Sequence, residues 1–159
     1  MLFKQTLGLR YFGIRNIPLL FICSPSVLYI DNKRCEVKIP LNYLTKNHLG
    51  CMYFGALAMG ADLAGGMMAM DLIEKSGKKV SLLFKDFHAD YLKRAEGDVH
   101  FKCSDGPKIH KAVQETLQTG QRVNIPLHVE ATTPKVSGGE LVAKFILTLS
   151  LKAVSQAKT

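Results

Sequence analysis

The stretch from Tyr53 to Met70 constrains this chain most, because it is apolar on every side yet contains one acid. Asp62 is the only acidic or basic side chain in it, and its neighbours are Ala, Leu, Met and Gly. A helix that is hydrophobic all round must be buried on every side, and an unpaired carboxylate in such surroundings is costly. The chain must therefore enclose this helix and give the acid a role.

A transmembrane span is the other interpretation, since a span needs about 20 apolar residues. Asp62 lies at the middle of the stretch, where inserting a charge costs around 2.5 to 3.5 kcal/mol. Four glycines, at positions 55, 60, 65 and 66, lower its hydrophobicity further. We therefore expect a buried core helix and no stable membrane insertion.

The composition predicts one domain over residues 1–159, with an N-terminal helical extension over 1–32 and a core over 33–153. The chain is 47% hydrophobic and 21% charged, which is ordinary for a globular protein. Its net charge of +8 comes without a dense basic run or a zinc-finger or RNA-binding motif, so we expect no nucleic acid partner. The four cysteines lack metal-ligand spacing and predict free thiols, a cytoplasmic location and no metal site.

Period-two alternation of apolar and polar residues predicts strands near 35–41, 98–103, 122–133 and 140–152, and residues 80–92 are also extended in character. Short links predict two antiparallel hairpins, one of 80–92 with 97–103 and one of 122–133 with 140–152. A Pro-initiated, Gly-terminated amphipathic pattern predicts an extra helix over 107–119 between them. The fold class is therefore α+β, with an antiparallel sheet curled around the long central helix.

Asp62 shares one helical face with Gly55, Gly65 and Gly66, because these positions are separated from it by three, four or seven residues. A face without side chains leaves room for a ligand, a partner subunit or a neighbouring backbone. The alternative is that Asp62 only bonds a neighbouring strand and that the glycines serve helix–sheet packing.

The segment before the helix, Asn47-His48-Leu49-Gly50, is polar and contains glycine. We expect Cys51 to Gly55 to form the first turn of the helix, whose free N–H groups can bind a developing oxyanion. Asn47 can hold a water molecule or a substrate, or it can cap the helix instead.

The spacing Asn47-x-x-Gly50-x-x-Tyr53-x-Gly55, with Asp62 nine residues after Tyr53, resembles the hotdog-fold thioesterases of the phenylacetic-acid-degradation type. The order of elements is similar too, and is closest to an uncharacterised hotdog branch. The resemblance implies that Asp62 acts as general base or nucleophile on an acyl-thioester, that Asn47 positions water and that the Gly55 N–H polarises the carbonyl. Ser81 roughly matches a position that assists the acid, and Gly50 belongs to the substrate loop.

The resemblance also implies a site shared by two subunits, in a homodimer or a tetramer. The family's His-Gly pair is here Tyr53-Phe54, so Tyr53 could offer its hydroxyl as a replacement donor, and Phe54 either narrows the pocket or turns outward. An acyl-coenzyme A substrate would bring phosphates to the basic pairs Lys78-Lys79 and Lys93-Arg94, which are otherwise solvated turns. No cofactor is implied beyond the coenzyme A of the substrate.

Two functions follow as hypotheses. The first is a thioesterase that cleaves an acyl-thioester, expected to be acyl-coenzyme A, by Asp62-assisted attack of water. The second is a noncatalytic protein that binds acyl groups or acyl-coenzyme A, suggested by Tyr53-Phe54. A hotdog dehydratase is disfavoured because no histidine lies between Leu49 and His88, and a purely structural dimer is the remaining alternative.

Overall fold

The computed structural model describes residues 1–154 of the chain. Five helices lie within them: α1 Phe3–Asn16, α2 Pro18–Ile22, α3 Phe54–Ser76, α4 Gly106–Thr119 and the short α5 Pro134–Ser137. Six strands complete the fold: β1 Ser26–Ile30, β2 Cys35–Ile39, β3 Val80–Tyr91, β4 Val99–Cys103, β5 Val123–Thr132 and β6 Leu141–Ala153.

The six strands form one antiparallel sheet in the order β1-β2-β4-β5-β6-β3, and the sheet curls around α3. Inward side chains of β2, β4, β5 and β6 alternate with exposed ones, as the period-two pattern predicts. A sheet wrapped around a long helix is the hotdog arrangement, so the predicted fold class is confirmed. Strand β3 lies at one edge, and no described strand pairs with its outer side.

The predicted hairpin of 80–92 with 97–103 is wrong. Strand β3 pairs with β6, while β4 lies between β2 and β5. Seven residues join β3 to β4, and at about 3.3 Å per residue they can cross the three inter-strand steps of about 4.8 Å. A short link therefore limits the distance between two strands without making them neighbours. The second hairpin, β5 with β6, is as predicted.

Helix α3 is long and apolar enough to span a membrane, but 56% of its apolar window is buried inside the protein. It is the core helix of the fold, which confirms the prediction. It begins at Phe54, after Tyr53 in extended conformation, so the prediction that its first turn starts at Cys51 is wrong. It ends where Gly77 adopts a left-handed conformation, φ +65°, that favours glycine.

The N-terminal extension contains one strand in addition to its helices. Strand β1 pairs with β2, and the N–H of Val27 donates to the buried hydroxyl of Thr6 at 2.9 Å, which ties α1 to the sheet. Leu9 and Leu20 belong to the same hydrophobic core as α3. The core therefore reaches into the segment that the sequence pattern assigns to an extension.

The four cysteines are free and buried, as predicted. Cys35 and Cys103 face each other across β2 and β4. Burial raises the pKa of Cys35 to about 12 and that of Cys103 to about 11, so both thiols stay protonated at neutral pH. They pack as small apolar side chains.

Candidate active site

Asp62 lies on the wall of an apolar cavity of about 520 Å³ between α3, the N-terminal helices and the start of β3. The cavity is lined mainly by aliphatic and aromatic side chains, which include Leu9, Phe12, Leu20, Met67, Ile73 and Phe84. Concave apolar sites that hold a few polar groups are typical of ligand pockets. The lining also includes the exposed Glu74, and the cavity is suited to an apolar group placed beside the Asp62 carboxyl.

The Asp62 carboxyl has no hydrogen-bond partner among the described residues, and burial alone raises its pKa above the usual range of an aspartate. Its oxygens still reach solvent, because within residues 1–154 no fully buried side-chain oxygen lacks a partner. The interpretation in which Asp62 bonds a neighbouring strand is therefore not supported. A carboxylate that reaches solvent and has no partner among these residues can accept a proton, and its raised pKa makes it a stronger base than an ordinary aspartate.

The glycines of α3 serve two different purposes. A Cβ on Gly60 would overlap the ring of Phe101, so this glycine serves helix–sheet packing. The corresponding atoms on Gly65 and Gly66 would lie 3.5 Å and 3.7 Å from the ring of Phe84, an ordinary contact distance. Gly66 also lines the cavity. The face around Asp62 is therefore partly filled by Phe84 and partly open to the cavity.

The N-terminus of α3 borders a second hollow, of about 590 Å³, which several of the predicted site residues line together. They are Asn47, Tyr53, Phe54, Lys93 and Arg94. The first intrahelical bond runs from the N–H of Leu57 to the carbonyl of Tyr53, and no side chain caps the helix. The N–H groups of Phe54, Gly55 and Ala56 thus have no intrahelical acceptor and point toward this end of the helix.

Asn47 holds the loop before α3 together and does not cap the helix. Its Oδ1 accepts a hydrogen bond from the N–H of Leu49 at 2.9 Å, and its Nδ2 donates to the Cys51 Sγ at 3.3 Å. The N–H of Gly50 donates to the Asn47 carbonyl at 3.1 Å, with Gly50 at φ +80°. Asn47 and Gly50 therefore fix the shape of the loop that borders the hollow.

The Tyr53-Phe54 pair turns outward. Both side chains are exposed, their ring centroids are 4.7 Å apart, and both border the hollow at the α3 N-terminus rather than the Asp62 cavity. The Tyr53 ring also covers Gly55, since a Cβ there would lie 2.6 Å from its Cε1. Phe54 therefore leaves the cavity open, while Tyr53 crowds the helix N-terminus.

The basic pairs lie far apart. Lys78 and Lys79 follow the C-terminal end of α3, whose 23 residues make it about 35 Å long, whereas Lys93 and Arg94 lie near its N-terminus. The Lys93 ammonium forms an ion pair with Glu140, while Arg94 has no ion-pair partner among residues 1–154. One chain cannot present both pairs to one ligand.

Ser81 is exposed on β3. Its neighbours Leu82 and Phe84 are half-buried, and alternation along the strand places Ser81 on the opposite face from theirs. It is therefore not brought together with Asp62 within one chain. Asp62 itself is also separated from the α3 N-terminus, since the eight residues from Phe54 correspond to about 12 Å of helix.

The N-terminal wall of the cavity is the part that the sequence pattern does not reveal. Leu9, Phe12 and Leu20 cover the side of α3 that carries Asp62. The spacing of Leu9 and Phe12 along α1 is compatible with an inward face, but it does not identify the helix on which that face packs. Within residues 1–154, no group of three metal-ligating side chains is present.

The sequence matches the family DUF4442, described as a domain of unknown function, over residues 10–149. The chain belongs to the DUF4442 family. The match begins inside α1 and ends inside β6, so this family includes most of the N-terminal wall of the cavity as well as the sheet. None of the curated proteins is detectably similar to this DUF4442 member in sequence.

Solved structures with the same fold include several thioesterases. A Shewanella oneidensis protein provisionally described as a thioesterase is 19% identical, with a TM-score of 0.77 over 95% of this chain and 99% of its own. A Pseudomonas aeruginosa protein of unknown function, described as a probable thioesterase, is 22% identical, with a TM-score of 0.73 over 94% and 96%. A Haemophilus influenzae thioesterase is 13% identical, with a TM-score of 0.68 over 94% and 92%. At these identities the similarity establishes the fold of this DUF4442 protein.

Proposed function

We propose that this protein is a cytoplasmic thioesterase that hydrolyses acyl-coenzyme A, and that it acts as a homodimer. The observation that carries the proposal is the Asp62 carboxyl, which has no hydrogen-bond partner among residues 1–154 and faces an apolar cavity of about 520 Å³. The cavity suits an acyl chain, and the carboxyl suits proton transfer at the thioester. Solved thioesterases that share the fold add support.

The reaction needs a base and an oxyanion site. The Asp62 carboxylate accepts a proton from water as the water oxygen attacks the thioester carbonyl carbon. The Gly55 N–H at the uncapped start of α3 stabilises the negative charge that develops on the carbonyl oxygen. The carbon–sulfur bond then breaks, the thiolate takes the proton from Asp62, and the acid is released. Because the base must be ionised, the rate rises with pH through the Asp62 pKa, which burial raises.

One chain does not bring these groups together, because about 12 Å of helix separates Asp62 from the first turn of α3. A second copy can do so if it places its own α3 N-terminus beside Asp62. Strand β3 has 12 residues, its outer edge pairs with no strand of residues 1–154, and it exposes Leu83 and Phe87. An exposed edge of this length is a template for pairing with another strand. We therefore assign each active site to Asp62 of one protomer and to the partner subunit's Gly55.

The phosphates of coenzyme A need cations, and a dimer provides them from both copies. Arg94 lies at the hollow beside the α3 N-terminus and has no carboxylate partner among residues 1–154. We assign Arg94 to the phosphates ahead of Lys93, because Glu140 already pairs with Lys93. Lys78 and Lys79 of the other protomer are the second candidate pair, because both are exposed.

The noncatalytic acyl-binding protein is the second candidate, and the position of Tyr53 favours it. The Tyr53 ring covers Gly55 and occupies space that the thioester carbonyl needs. The ring is exposed and can turn away, so Tyr53→Ala distinguishes the two functions. If the wild-type protein binds acyl-coenzyme A without turnover and Tyr53→Ala restores turnover, the protein is a binder that has lost its chemistry. The likeness to the phenylacetic-acid-type motif is compatible with either function.

The decisive experiment measures hydrolysis of a panel of acyl-coenzyme A esters by the wild type, Asp62→Ala and Asp71→Ala. Asp71 is the matched control, because it lies on the same helix and forms an ion pair with Lys75 at 2.6 Å. We expect Asp62→Ala to lose at least about 100-fold in kcat, the usual contribution of a general base, with Asp71→Ala unchanged. Equal hydrolysis by the wild type and Asp62→Ala would refute the mechanism.

Subunit complementation tests the shared site. Asp62→Ala and Asn47→Ala are each expected to be inactive, the second because the loop before α3 depends on Asn47. Mixed dimers would contain one site with both native residues, so mixing after partial unfolding and refolding should recover activity. If the mixture stays as inactive as the separate variants while mixed dimers form, each site lies within one chain.

A further inference from the structure

The outer face of α1 carries an exposed apolar stripe. Four residues spaced three or four positions apart fall within about 80° of the helix circumference. They are Phe3, Leu7, Tyr11 and Ile14, with 70%, 59%, 63% and 54% of their surface exposed. The opposite side of the helix holds its buried residues, Thr6, Leu9 and Gly13. The helix therefore carries large apolar side chains on its solvent side as well as on the side that packs against the protein.

Helix α2 carries further exposed apolar side chains. Leu19, Phe21 and Ile22 are exposed as well. The two helices pack closely, because a Cβ on Gly13 would lie 3.0 Å from the Phe21 nitrogen. Isolated exposed apolar residues are common, but seven on one helical pair mark an interaction surface. We call these seven residues the N-terminal apolar surface.

The segment that carries this surface is basic, although Asp31, Asp71 and Glu74 of other elements line a hollow beside Gln5 and Gly8 of α1. From Met1 to Ile30 the chain has three basic side chains and no acid. On the helix, Arg10 lies at one border of the stripe, and Lys4 and Arg15 lie at the other. Within residues 1–154, no carboxylate is in ion-pair distance of these three cations, and the Arg10 guanidinium donates to the carbonyls of Pro25 and Ser24 at 3.0 and 3.3 Å. Arg10 is thus held against the protein, whereas the exposed Lys4 and Arg15 remain available to an anionic surface.

We propose that the α1–α2 pair binds the surface of a bilayer that contains anionic lipids. An apolar stripe bordered by cations matches a membrane interface, where apolar side chains enter the acyl boundary and cations meet the headgroups. The 14 residues of α1 extend only about 21 Å, too short to cross a hydrocarbon core of about 30 Å, so α1 lies in the interface plane. Binding of this kind is peripheral and involves no membrane span.

The surface is connected to the cavity through α1. Leu9 and Phe12, on the other side of the helix, line the cavity that holds Asp62. A bilayer bound to the stripe would therefore lie one helix diameter from the pocket that the proposed function assigns to the acyl chain. This link to the substrate rests on the proposed function, but membrane binding itself does not depend on catalysis.

Vesicle flotation of the purified full-length protein tests the proposal. We expect the protein to float with vesicles of phosphatidylcholine and phosphatidylglycerol and not with phosphatidylcholine alone, and to be released by high salt. Each cation near an anionic surface contributes about fivefold to partitioning, so Lys4→Gln with Arg15→Gln should weaken binding about 30-fold. Both side chains are exposed, so we expect these two substitutions to leave the folded state unchanged.

An apolar variant and a matched control complete the design. Leu7→Asp with Ile14→Asp should abolish flotation, whereas Leu44→Asp, an exposed apolar residue outside the N-terminal helices, should not change it. Failure of the wild type to float, equal flotation with phosphatidylcholine alone, or flotation that survives Leu7→Asp with Ile14→Asp would overturn the proposal. The proposal would also be overturned if the wild type bound no vesicles and Leu7→Asp with Ile14→Asp lost oligomerisation. A second copy of the chain would then cover the stripe. Absence of thioesterase activity would leave the flotation result unaffected and would refute only the proposed function.

Discussion

Two glycines of α3 should respond in opposite directions to the same substitution. In Gly60→Ala the new methyl group would overlap the ring of Phe101, which is fully buried and packs near Phe145. Overpacking of this kind costs about 1 to 3 kcal/mol, against a gain of about 1 kcal/mol in helix propensity. Because the enclosed ring has little room to move, we take the upper end and expect a net loss of about 2 kcal/mol.

Gly66→Ala is the matched control. Its methyl group would lie 3.7 Å from the ring of Phe84 and beside the open cavity, so no neighbour has to move. The helix propensity gain should then appear in full, as a stabilisation of about 1 kcal/mol. For a chain of this size, about 2 to 4 °C in Tm per kcal/mol predicts a fall of about 4 to 8 °C for Gly60→Ala and a rise of about 2 to 4 °C for Gly66→Ala.

Thermal unfolding followed by circular dichroism, with denaturant titrations for the free energies, measures both effects. A double mutant tests whether steric overlap causes the destabilisation by Gly60→Ala. Phe101→Leu shortens the ring that the methyl group meets, so the cost of Gly60→Ala should be smaller in that background than in the wild type. If Gly60→Ala is as stable as the wild type, or if its cost is unchanged beside Phe101→Leu, the packing assigned to Gly60 is wrong.

Two further predictions concern Asp62 and the edge strand. Burial raises the pKa of Asp62, so the contribution of this side chain to stability is fully present below the unfolded-state pKa and is lost as pH rises through the folded-state pKa. Asp62→Asn should therefore raise Tm at neutral pH and not in acid. An equal change in Tm at both pH values would contradict this reasoning. Phe87→Glu places like charges on the free edge of β3 in both copies and should convert dimers to monomers in light scattering, whereas Ile146→Glu, exposed on the interior strand β6, should not. Dimers that persist in Phe87→Glu would rule out pairing through this edge.

The sequence identified α3 and most of the sheet because both patterns report burial directly. An apolar stretch with one acid indicates a buried helix, and the alternation of apolar and polar residues in β5 and β6 indicates which face of each strand is buried. Strand β1 was missed because Val27 to Ile30 is continuously apolar and follows Pro25, so no alternation distinguishes it from the helices before it. The pairing of β3 was wrong because a short link restricts distance but does not select a neighbour.

The candidate site was predictable in its parts but not in its arrangement. Spacing on one helix placed Gly66 and Asp62 together, and they do share the cavity. The loop of Asn47 and the start of α3, which the sequence groups together, also border one hollow. The eight residues from Phe54 to Asp62 correspond to about 12 Å of helix, so the two groups lie apart within one chain, and the proposed second copy would be needed to bring them together.

The position of α1 explains how the fold tolerates an unpaired acid in its core helix. Leu9 and Phe12 cover the cavity without filling it, so the Asp62 carboxyl is desolvated enough to raise its pKa yet still reaches solvent. A fully closed contact would leave a buried carboxylate without a partner, which costs several kcal/mol. A missing α1 would expose the acid, and its pKa would return toward the ordinary value. The N-terminal segment therefore contributes to the burial that raises the Asp62 pKa, and it forms one wall of the cavity.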